Sequence, residues 1–284
     1  LAADSASKKA QRDYIVIMGI DLLLMLVAAA ISTYDYQTSD AREILYVLSG
    51  IFLLTSLILS IILLTQKYED TWYQGRALAE SCKTVCWRFM TKSEFFEDSI
   101  LLSEVKQRFL NRTAALSHEF SELNKVLDSK LLNKPVITDH MLNVRAQSLP
   151  DRKAYYIANR IENQKKWYSD KAELNKKRYK RWFFVIIATQ AASLISAVYL
   201  IRNAGSNWNF IGLFTTVSAA AISWLQLKRH QELKQAYTTA SQELNFIVSL
   251  SDEIESESDF SKFVLDSENA ISREHTLWLA QRRK

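Results

Sequence analysis

A single carboxylate lies inside a long apolar stretch near the start of the chain. Asp21 stands about seven residues into residues 14–31, and no other charged residue occurs in that stretch. Inside a membrane-spanning helix an acidic side chain costs about 2.5–3.5 kcal/mol, so it is expected to face the interior of a bundle or a path for water. Two interpretations stay open: Asp21 lines a cation-preferring pore, or it makes a structural hydrogen bond between helices.

Polar residues in two later apolar stretches extend the pore interpretation. Gln190 is expected at the same depth in the third stretch as Asp21 in the first, and serines follow it on the next turns. The fourth stretch adds threonines among small alanines. The predicted polar seam of a pore consists of Asp21, Gln190, Ser193, Ser196, Thr215 and Thr216. The alternative is that the small residues simply allow the helices to pack closely.

A second group of residues that could bind a ligand lies in residues 72–90. At helical spacing its side chains fall on one or two faces of a helix. The candidates for cytoplasmic gating or ligand contact are Trp72, Arg76, Glu80, Lys83, Trp87 and Arg88. The basic members of this group could contact an anion. Packing is the favoured alternative, because aromatic side chains at helical spacing usually lie in a core. No glycine-rich phosphate-binding loop accompanies these residues to support a ligand site.

Four apolar segments must position these residues: 14–31, 44–65, 182–201 and 210–227. Each is roughly 18 to 22 residues long, about the length that an α-helix needs to cross the hydrocarbon core of a bilayer. Short polar turns join the first segment to the second and the third to the fourth. The pattern predicts four membrane spans, paired into two transmembrane hairpins.

Basic residues flank these segments on the sides away from the two turns. They are Lys8, Lys9, Arg12, Lys67, Lys176, Lys177, Arg178, Lys180, Arg181, Lys228 and Arg229. The first turn instead carries Asp35, Asp40 and Glu43. Because basic flanks stay on the cytoplasmic side, we expect both termini and the long segment between the hairpins to lie in the cytoplasm, with the two turns outside. The flanks and anionic lipid explain the net charge of +5, and no nucleic-acid partner is expected.

Only 5 glycines and 2 prolines occur among the 284 residues, so the polar parts should be long helices. We predict an all-α membrane protein in which two transmembrane helical hairpins extend into a cytoplasmic helical bundle. The predicted divisions are an amino-terminal flank (1–13), the first hairpin (14–66), cytoplasmic helices and a linker (67–151), a cytoplasmic helix leading into the membrane (152–181), the second hairpin (182–228) and carboxy-terminal helices (229–284).

Three details of the cytoplasmic part follow from the pattern. The helices after the second and fourth segments are expected to leave the membrane without a break. An apolar stripe from Leu102 to Leu131 predicts one helix about eight turns long. Both prolines occur in residues 133–151, which indicates a linker there.

The two halves of the chain resemble an imperfect internal repeat. A hairpin followed by an exit helix recurs after roughly 160 to 170 residues. The matched positions are Asp21 with Gln190, Ala77 with Ala236, Ser81 with Ala240, and Trp87 with Phe246. A tandem duplication of a two-span unit is the simplest explanation.

Three parts of the sequence resemble the SLATT-domain family. The first is the run Trp72-Tyr73-Gln74-Gly75-Arg76-Ala77-Leu78-Ala79-Glu80-Ser81-Cys82-Lys83-Thr84-Val85-Cys86-Trp87-Arg88-Phe89-Met90. The others are Asp151, Arg152, Tyr155, Tyr156, Arg160, Ile161, Gln164, Trp167 and Tyr168, which resemble a second subtype, and Glu268, Glu274, His275 and Trp278, which resemble the last helix. The resemblance implies a tandem SLATT protein. That family consists of bacterial two-span effectors associated with nucleotide-second-messenger synthases and nucleotide-sensing domains in defence loci, and it implies a pore-forming or membrane-perturbing role.

Residues typical of an enzyme or a metal site are scarce. Cys82 and Cys86 lie one helical turn apart, without a second cysteine pair or a histidine at zinc-ligand spacing. The four histidines share no motif, and the sequence contains no nucleophile elbow, P-loop or dinucleotide fingerprint. We therefore expect no enzymatic activity, no metal site and no cofactor.

Taken with the four apolar segments, the resemblance implies an oligomeric effector of the bacterial inner membrane that forms a gated ion pore, or permeabilises that membrane, when its cytoplasmic helices receive a signal in defence or stress. Four spans can hardly enclose a wide aqueous path, so a homo-oligomer is expected. The expected partners are the lipid bilayer and a nucleotide second messenger or a nucleotide-sensing protein. The alternative is a non-conducting scaffold that recruits a cytoplasmic partner. A transporter is disfavoured because the spans lack helix-breaking residues.

Overall fold

The computed structural model describes residues 1–35 and 42–282, with side chains through residue 272. The α-helices in this part are α1 (Ala2–Ile31), α2 (Arg42–Thr65), α3 (Tyr68–Met90), α4 (Leu102–Glu119), α5 (Ser129–Leu132), α6 (Asp139–Ala146), α7 (Leu149–Tyr156), α8 (Asn163–Arg202), α9 (Ile211–Lys228), α10 (His230–Ser249) and α11 (Glu257–Arg282). Short 3-10 segments cover Ser121–Lys125 and Ser251–Glu253, and a π-helix, Ile157–Glu162, joins α7 to α8. The predicted all-α class is confirmed.

Three helical stretches are long and apolar enough to cross a membrane: Ala2–Ile31, Arg42–Met90 and Leu149–Arg202. They contain the first three of the predicted apolar segments. The fourth segment forms α9, a helix of 18 residues that is not among the three. Its polar end, at Gln226 and Lys228, shortens the apolar part. Four spans in two hairpins therefore stay a prediction.

The helices that follow the second and fourth apolar segments are separated from them by breaks, contrary to the expectation. Lys67, between α2 and α3, has a φ of 48°, and Arg229, between α9 and α10, has a φ of 47°. This left-handed conformation is unfavourable for residues other than glycine. Each break is therefore a specific feature of the backbone, and each lies directly after an apolar helix.

The helix predicted from the apolar stripe after Leu102 is shorter than expected. Helix α4 ends at Glu119, so the long apolar stripe is divided among α4, a 3-10 segment and α5. The predicted linker at 133–151 contains α6, in which Met141 and Val144 are buried. Pro150 lies in the first turn of α7. Proline is well tolerated there, because the first N–H groups of a helix have no partner within the helix.

The helices form two compact units, and each unit draws on both halves of the sequence. The polar unit consists of Leu1–Gln11, Glu69–Ala172 and the residues from Gln235 onward. The apolar unit consists of Arg12–Tyr68 and Glu173–Lys234. Neither unit corresponds to a single copy of the internal repeat. The repeat therefore describes the sequence, whereas the packing joins equivalent parts of its two copies.

The core of the polar unit is centred on aromatic side chains from α3, α4 and the loop between them. Phe89, Phe96 and Phe109 are buried. The ring centroids of Phe89 and Phe109 are 4.8 Å apart, and those of Phe89 and Phe96 are 6.0 Å apart. Val105 and Leu123 belong to the same buried cluster. Each such side chain contributes about 1.5–3 kcal/mol by its removal from water.

In the apolar unit, backbone hydrogen bonds connect the turn after α1 with the turn before α9. The Asp35 N–H donates to the Asn207 carbonyl at 2.8 Å, and the Asn209 N–H donates to the Thr33 carbonyl at 2.7 Å. Leucine and isoleucine side chains are exposed along α2 and α8. Such extended apolar surfaces suit contact with lipid rather than with water.

Candidate functional site

Asp21 lies inside the apolar unit, where α2 supplies hydrogen-bond donors to its carboxylate. The residue is 6% exposed. The Ser56 hydroxyl donates to one carboxylate oxygen at 2.5 Å, and the Ser60 hydroxyl donates to the other at 3.4 Å. The two serines are one helical turn apart, so both hydroxyls reach the same side chain. Asp21 therefore makes the interhelical hydrogen bond that one of its two interpretations predicted.

Gln190 does not belong to this hydrogen-bonded group. It is exposed, and its side chain has no hydrogen-bonding partner among the described residues. The buried positions of the two helices share one spacing, in which Ala10, Asp21 and Ala28 of α1 correspond to Asn175, Ile186 and Ser193 of α8, each 165 residues later. In this register the counterpart of Asp21 is Ile186 rather than Gln190.

The other residues of the predicted polar seam bond mainly to their own helices. Ser193 is buried, and the Ser196 hydroxyl donates to the carbonyl four residues earlier at 2.8 Å. The hydroxyls of Thr215 and Thr216 donate to the Gly212 carbonyl at 3.0 and 2.7 Å. These bonds satisfy hydroxyl groups within an apolar helix. No two of the six seam residues are joined by a hydrogen bond in the described part of the chain.

The first side chains of the 72–90 motif are engaged within the polar unit. The Arg76 guanidinium lies over the Trp167 ring, 5.9 Å from its centroid. Lys83 forms an ion pair with Glu80 at 2.7 Å. Trp72 is half-buried. A cation over an aromatic face and a pair one turn apart on the same helix are contacts typical of helix packing.

The end of the motif packs in the same way. The rings of Trp87 and Tyr156 have centroids 5.5 Å apart. The Arg88 guanidinium donates to the Glu94 carboxylate at 3.3 Å and to the Asn269 side-chain oxygen at 3.1 Å. The contacts of the motif thus agree with the favoured packing interpretation. They leave fewer basic groups for a ligand than the sequence alone suggested.

A buried carboxylate, Glu268 of α11, is the centre of the densest polar cluster in the polar unit. Arg160 of the π-helix donates to both carboxylate oxygens, at 2.8 and 2.7 Å. The Tyr156 hydroxyl donates at 2.9 Å and the Thr84 hydroxyl at 2.7 Å. Glu268 and Tyr156 are fully buried and Arg160 is 5% exposed. Every donor is more than 100 residues away in sequence from Glu268, so the family motifs could single out these residues but not their contacts.

Two further arginines cover the carboxyl end of α3. Arg145 donates to the Phe89 carbonyl at 2.7 Å, and Arg152 donates to the Thr91 carbonyl at 3.3 Å. Arg152 also pairs with Glu257 of α11. Burial lowers the pKa of Arg145 from its usual value. Cationic donors at this position satisfy the last carbonyls of the helix and interact favourably with its dipole.

Helices α1 and α3 approach each other closely because the residues at their contact are small. A Cβ added at Gly75 would lie 3.0 Å from the Ala3 carbonyl oxygen and 3.0 Å from the Ser7 Cβ. The Ser7 hydroxyl donates to the Trp72 carbonyl at 2.7 Å. A glycine is therefore required for this separation, as at the crossings of small-residue helix pairs.

Helices α8 and α10 make the corresponding contact with aromatic residues. Tyr168 stacks on Tyr237 with centroids 5.7 Å apart, and Trp167 meets the edge of Tyr237 at 5.2 Å. Tyr168 and Tyr237 are both buried. The spacing of the buried positions in α1 and α8 pairs Tyr168 with Ala3. The spacing of the two backbone breaks, at Lys67 and Arg229, pairs Tyr237 with Gly75. The same contact is thus made once by small residues and once by large ones.

The number of residues between equivalent positions of the two exit helices, α3 and α10, differs by three from the predicted number. The breaks at Lys67 and Arg229 are 162 residues apart, whereas the predicted pair Trp87 and Phe246 is separated by 159. Trp87 is half-buried but Phe246 is 72% exposed. The structure therefore favours the register of the breaks, almost one helical turn away from the predicted pairing.

A polar groove with a volume of about 580 Å³ lies between α8 and α10 in the polar unit. It is lined by Lys165, Lys166, Ser169, Asp170, Ser241, Gln242, Asn245 and Phe246. Lys165 forms an ion pair with Glu162 of the π-helix at 2.7 Å. The volume lies within the range of small-ligand sites. The groove begins a few residues after the π-helix ends.

His230 follows the break at Arg229 and is buried in the apolar unit, 3% exposed. Its Nδ1 lies 2.7 Å from the Asn175 side-chain oxygen. Burial, together with the nearby charges of Arg178 and Lys228, lowers the pKa of His230 to about 4. The imidazole is therefore neutral at pH 7, and its Nδ1–H donates to Asn175.

The remaining candidates are two cysteines and the motif residues of the last helix. Cys82 and Cys86 are free thiols, and no group of three or more potential metal ligands occurs in the described part of the chain. Outside the described residues lie Asp40 and the side chains of Glu274, His275 and Trp278.

The fold and these sites define an all-helical protein with membrane-spanning helices. The family model of SMODS and SLOG-associating 2TM effector domain 3 matches residues 1–153, and that of SMODS and SLOG-associating 2TM effector domain 1 matches residues 156–278. The chain belongs to the SLATT family and carries two of its domains in tandem. Neither a curated protein nor a solved structure matches the chain.

Proposed function

We propose that the protein is an oligomeric effector of the bacterial inner membrane that opens a gated ion pore, or permeabilises the membrane, in defence or stress. Its two family domains are of a class described as two-transmembrane effectors, which supports the membrane part of this proposal. Both termini are proposed to lie in the cytoplasm, and α9 is proposed as the fourth span, because the basic flanking residues other than Arg42 and Arg202 lie away from the two turns.

The observation that carries the pore is the exposed amide of Gln190 in the third apolar segment. Its neighbours Ile187 and Leu194 are 50% and 70% exposed. An amide that faced lipid at this depth would lack hydrogen bonds, which costs several kcal/mol. We therefore place Gln190 against another copy of the chain or against a water-filled path. Contact with another copy requires an oligomer, and so does a wide water-filled path, because four spans of one chain can hardly enclose one.

The test is K⁺ flux from liposomes that contain the purified full chain, together with membrane potential in bacteria that overproduce it. The proposal predicts flux and depolarisation, and Gln190→Leu is expected to lower the flux about tenfold or more. Leu194→Ile, one turn further on α8, is the matched control and should conduct like the unmodified chain. Liposomes that stay tight with every candidate activator, including cyclic dinucleotides and ATP, together with fully polarised cells, would overturn the pore and favour the scaffold.

Asp21 is proposed to contribute cation preference to the pore, in addition to its hydrogen bonds. Asp21→Asn removes the charge but keeps a side-chain oxygen that can accept from Ser56 and Ser60. The ratio of K⁺ to Cl⁻ permeability is expected to fall in this variant. An unchanged ratio in a conducting variant would leave Asp21 with a structural role only.

The signal is proposed to be a nucleotide second messenger or a nucleotide-sensing partner protein that acts on the polar unit. The association with SMODS and SLOG in the description of both family domains supports this. Trp72, Arg76, Glu80, Lys83, Trp87 and Arg88 remain the proposed contact or gating residues. Thermal unfolding with cyclic dinucleotides and with ATP tests direct binding. Lys83→Glu should abolish any stabilisation, and Lys125→Glu, which alters an exposed pair elsewhere, should not.

The scaffold alternative is favoured by the groove between α8 and α10. Its polar lining and the 72% exposed Phe246 offer a surface that a cytoplasmic partner could contact. A scaffold would recruit that partner without changing the permeability of the membrane. Phe246→Asp should then abolish co-purification of a partner while the liposomes stay tight throughout.

A further inference from the structure

The connection between α7 and α8 contains a π-helix, Ile157–Glu162, within an otherwise continuous helical path. A π-helical turn holds one more residue than an α-helical turn would, so it acts as an insertion of one residue. Two asparagine side chains supply donors at this wide turn. Asn159 donates to the Tyr155 carbonyl at 2.9 Å, and Asn163 donates to the Asn159 carbonyl at 3.0 Å.

A change from π to α geometry would alter the phase of α8, which is the direction in which each later residue points around the helix axis. One residue corresponds to about 100° around the axis of an α-helix. Each later residue of α8 would then take approximately the direction that the next residue has now. Ser193, which is 9% exposed, would take the direction of Leu194, which is 70% exposed. Helix α8 is 40 residues long without interruption, so the change would reach the whole third apolar segment.

The residue that holds the π-helix is Glu268. It bonds Tyr156 just before the π-helix and Arg160 within it, so one carboxylate fixes the helix on both sides of the extra residue. Arg160 and Glu268 are both buried. If either partner is removed, the other is left as an uncompensated buried charge, which strongly destabilises that arrangement. The observed phase of α8 therefore depends on this ion pair.

We infer that the π-helix is a register switch and that Glu268 is the residue that locks it. With the Arg160–Glu268 pair intact, α8 keeps the observed phase. When the pair opens, the π-helix becomes α-helical and the later part of α8 turns by about one residue. The groove residue Lys165 pairs with Glu162 at the end of the π-helix, which connects the groove to the switch through one ion pair. The effect on conduction rests on the proposed function, whereas the change of phase does not.

The test measures the phase of α8 without any measurement of flux. A spin label is placed at Ser193→Cys or Leu194→Cys in a chain with Cys82→Ser and Cys86→Ser, and its collision rate with O₂ is recorded in liposomes. Glu268→Gln is expected to raise the rate at position 193 severalfold, to the rate seen at position 194 in the otherwise unmodified chain. Glu122→Gln, which removes an exposed carboxylate, should leave the rate unchanged.

A pair of deletions tests the extra residue itself. Ala158 is exposed in the π-helix. Its removal should convert the π-helix into a regular α-helix while α7 and α8 keep their present phase, so the protein should still fold. Removal of Lys166, exposed in the regular part of α8, should displace Tyr168 from its buried position and unfold the polar unit. In the chain without Ala158, Glu268→Gln should no longer change the rate at position 193.

Two results would overturn the switch. One is a folded Glu268→Gln protein with an unchanged rate at position 193. The other is loss of folding on deletion of Ala158 to the same extent as on deletion of Lys166. If Glu268→Gln does not fold, the deletions decide alone. A protein that never conducts but changes phase as described would remove the pore and keep the switch.

Discussion

The polar unit contains the same helix contact twice, once with small residues and once with aromatic ones. In the first copy, Gly75 lets the backbones of α1 and α3 come into direct contact. In the second copy, Tyr168 and Tyr237 stack between α8 and α10. Both copies keep equivalent breaks between the apolar helix and the exit helix. The comparison teaches that the topology of the repeat tolerates a large change in residue size when both sides of a contact change together.

The difference between the two contacts also explains the position of the groove. Stacked rings need more space between two helices than glycine and alanine do. The groove with its two lysines lies between these helices, beside the aromatic contact. Small residues thus give the first copy a tight contact, and aromatic residues give the second copy a surface on which a ligand or partner has space.

The largest effect is expected from removing the aromatic contact. Tyr237→Ala should lower the free energy of unfolding by about 3–5 kcal/mol, because it leaves a cavity beside the buried Tyr168. Thermal or denaturant unfolding in detergent measures it. Phe246→Ala, a 72% exposed aromatic residue of the same helix, should change the stability by less than about 0.5 kcal/mol. Equal losses in both variants would contradict the proposed importance of the stack.

The next effect concerns the residue that follows each break, which is Tyr68 in the first copy and the buried His230 in the second. Since the pKa of His230 is lowered to about 4 when folded, the unfolded chain binds an extra proton between pH 6.5 and 4. Stability from this group is therefore complete above pH 6.5 and is lost as the pH falls towards 4, by up to about 3 kcal/mol.

The measurement for this effect is the melting temperature between pH 7 and pH 4. His230→Gln should flatten the pH dependence, because glutamine can still donate to Asn175 and does not titrate. His118→Gln changes an exposed histidine and should keep the original slope. If the His230→Gln protein retains the full slope, another group is responsible.

A smaller loss is expected from enlarging the contact of the first copy. Gly75→Ala would place a methyl group 3.0 Å from two atoms of α1, and we expect a net loss of about 1–2 kcal/mol in unfolding experiments, after the gain in helix propensity. Gly50→Ala in α2 is the matched control, because nothing lies within 4 Å of its added Cβ. It should stabilise the protein by up to about 1 kcal/mol. If both variants change the free energy of unfolding in the same direction, α1 can move away from the added methyl group at little cost.

The smallest effect is expected at the left-handed backbone breaks, which both copies share. Lys67→Gly and Arg229→Gly relieve left-handed backbones, so each should raise the free energy of unfolding by about 0.5–1 kcal/mol. Lys177→Gly, in the interior of α8, should lower it by about 1 kcal/mol. Destabilisation by both break variants would indicate that the side chains of Lys67 and Arg229, rather than the backbone, determine the breaks.

The sequence predicted the features that depend on local pattern. The apolar lengths predicted α1, α2 and the third apolar segment in α8, and the scarcity of glycine and proline predicted the all-α class. The predicted linker at 133–151 was wrong because proline can begin a helix as well as interrupt one, and Pro150 lies in the first turn of α7. Periodicity alone also could not show that the stripe after Leu102 is divided among three short helical segments.

The candidate sites were less predictable, because they depend on contacts between distant residues. Asp21 was identified correctly as a buried polar residue, but its partners Ser56 and Ser60 were not among the predicted seam. Arg160 and Glu268 each appeared in a family motif, yet nothing in either motif indicated that they pair across 108 residues. The register between the repeats also needed the structure, since helical apolar patterns match one another at several offsets.

The two backbone hydrogen bonds between the turns have a consequence for how this part of the chain can change over time. Both bonds, Asp35 N–H to Asn207 and Asn209 N–H to Thr33, are made by main-chain atoms. Almost any amino acid at these four positions would preserve them, and proline at position 35 or 209 is the exception, because it lacks the donor. These two bonds therefore align the turns without placing any demand on the side chains, and only the other contacts of the four residues restrict which amino acids can stand there.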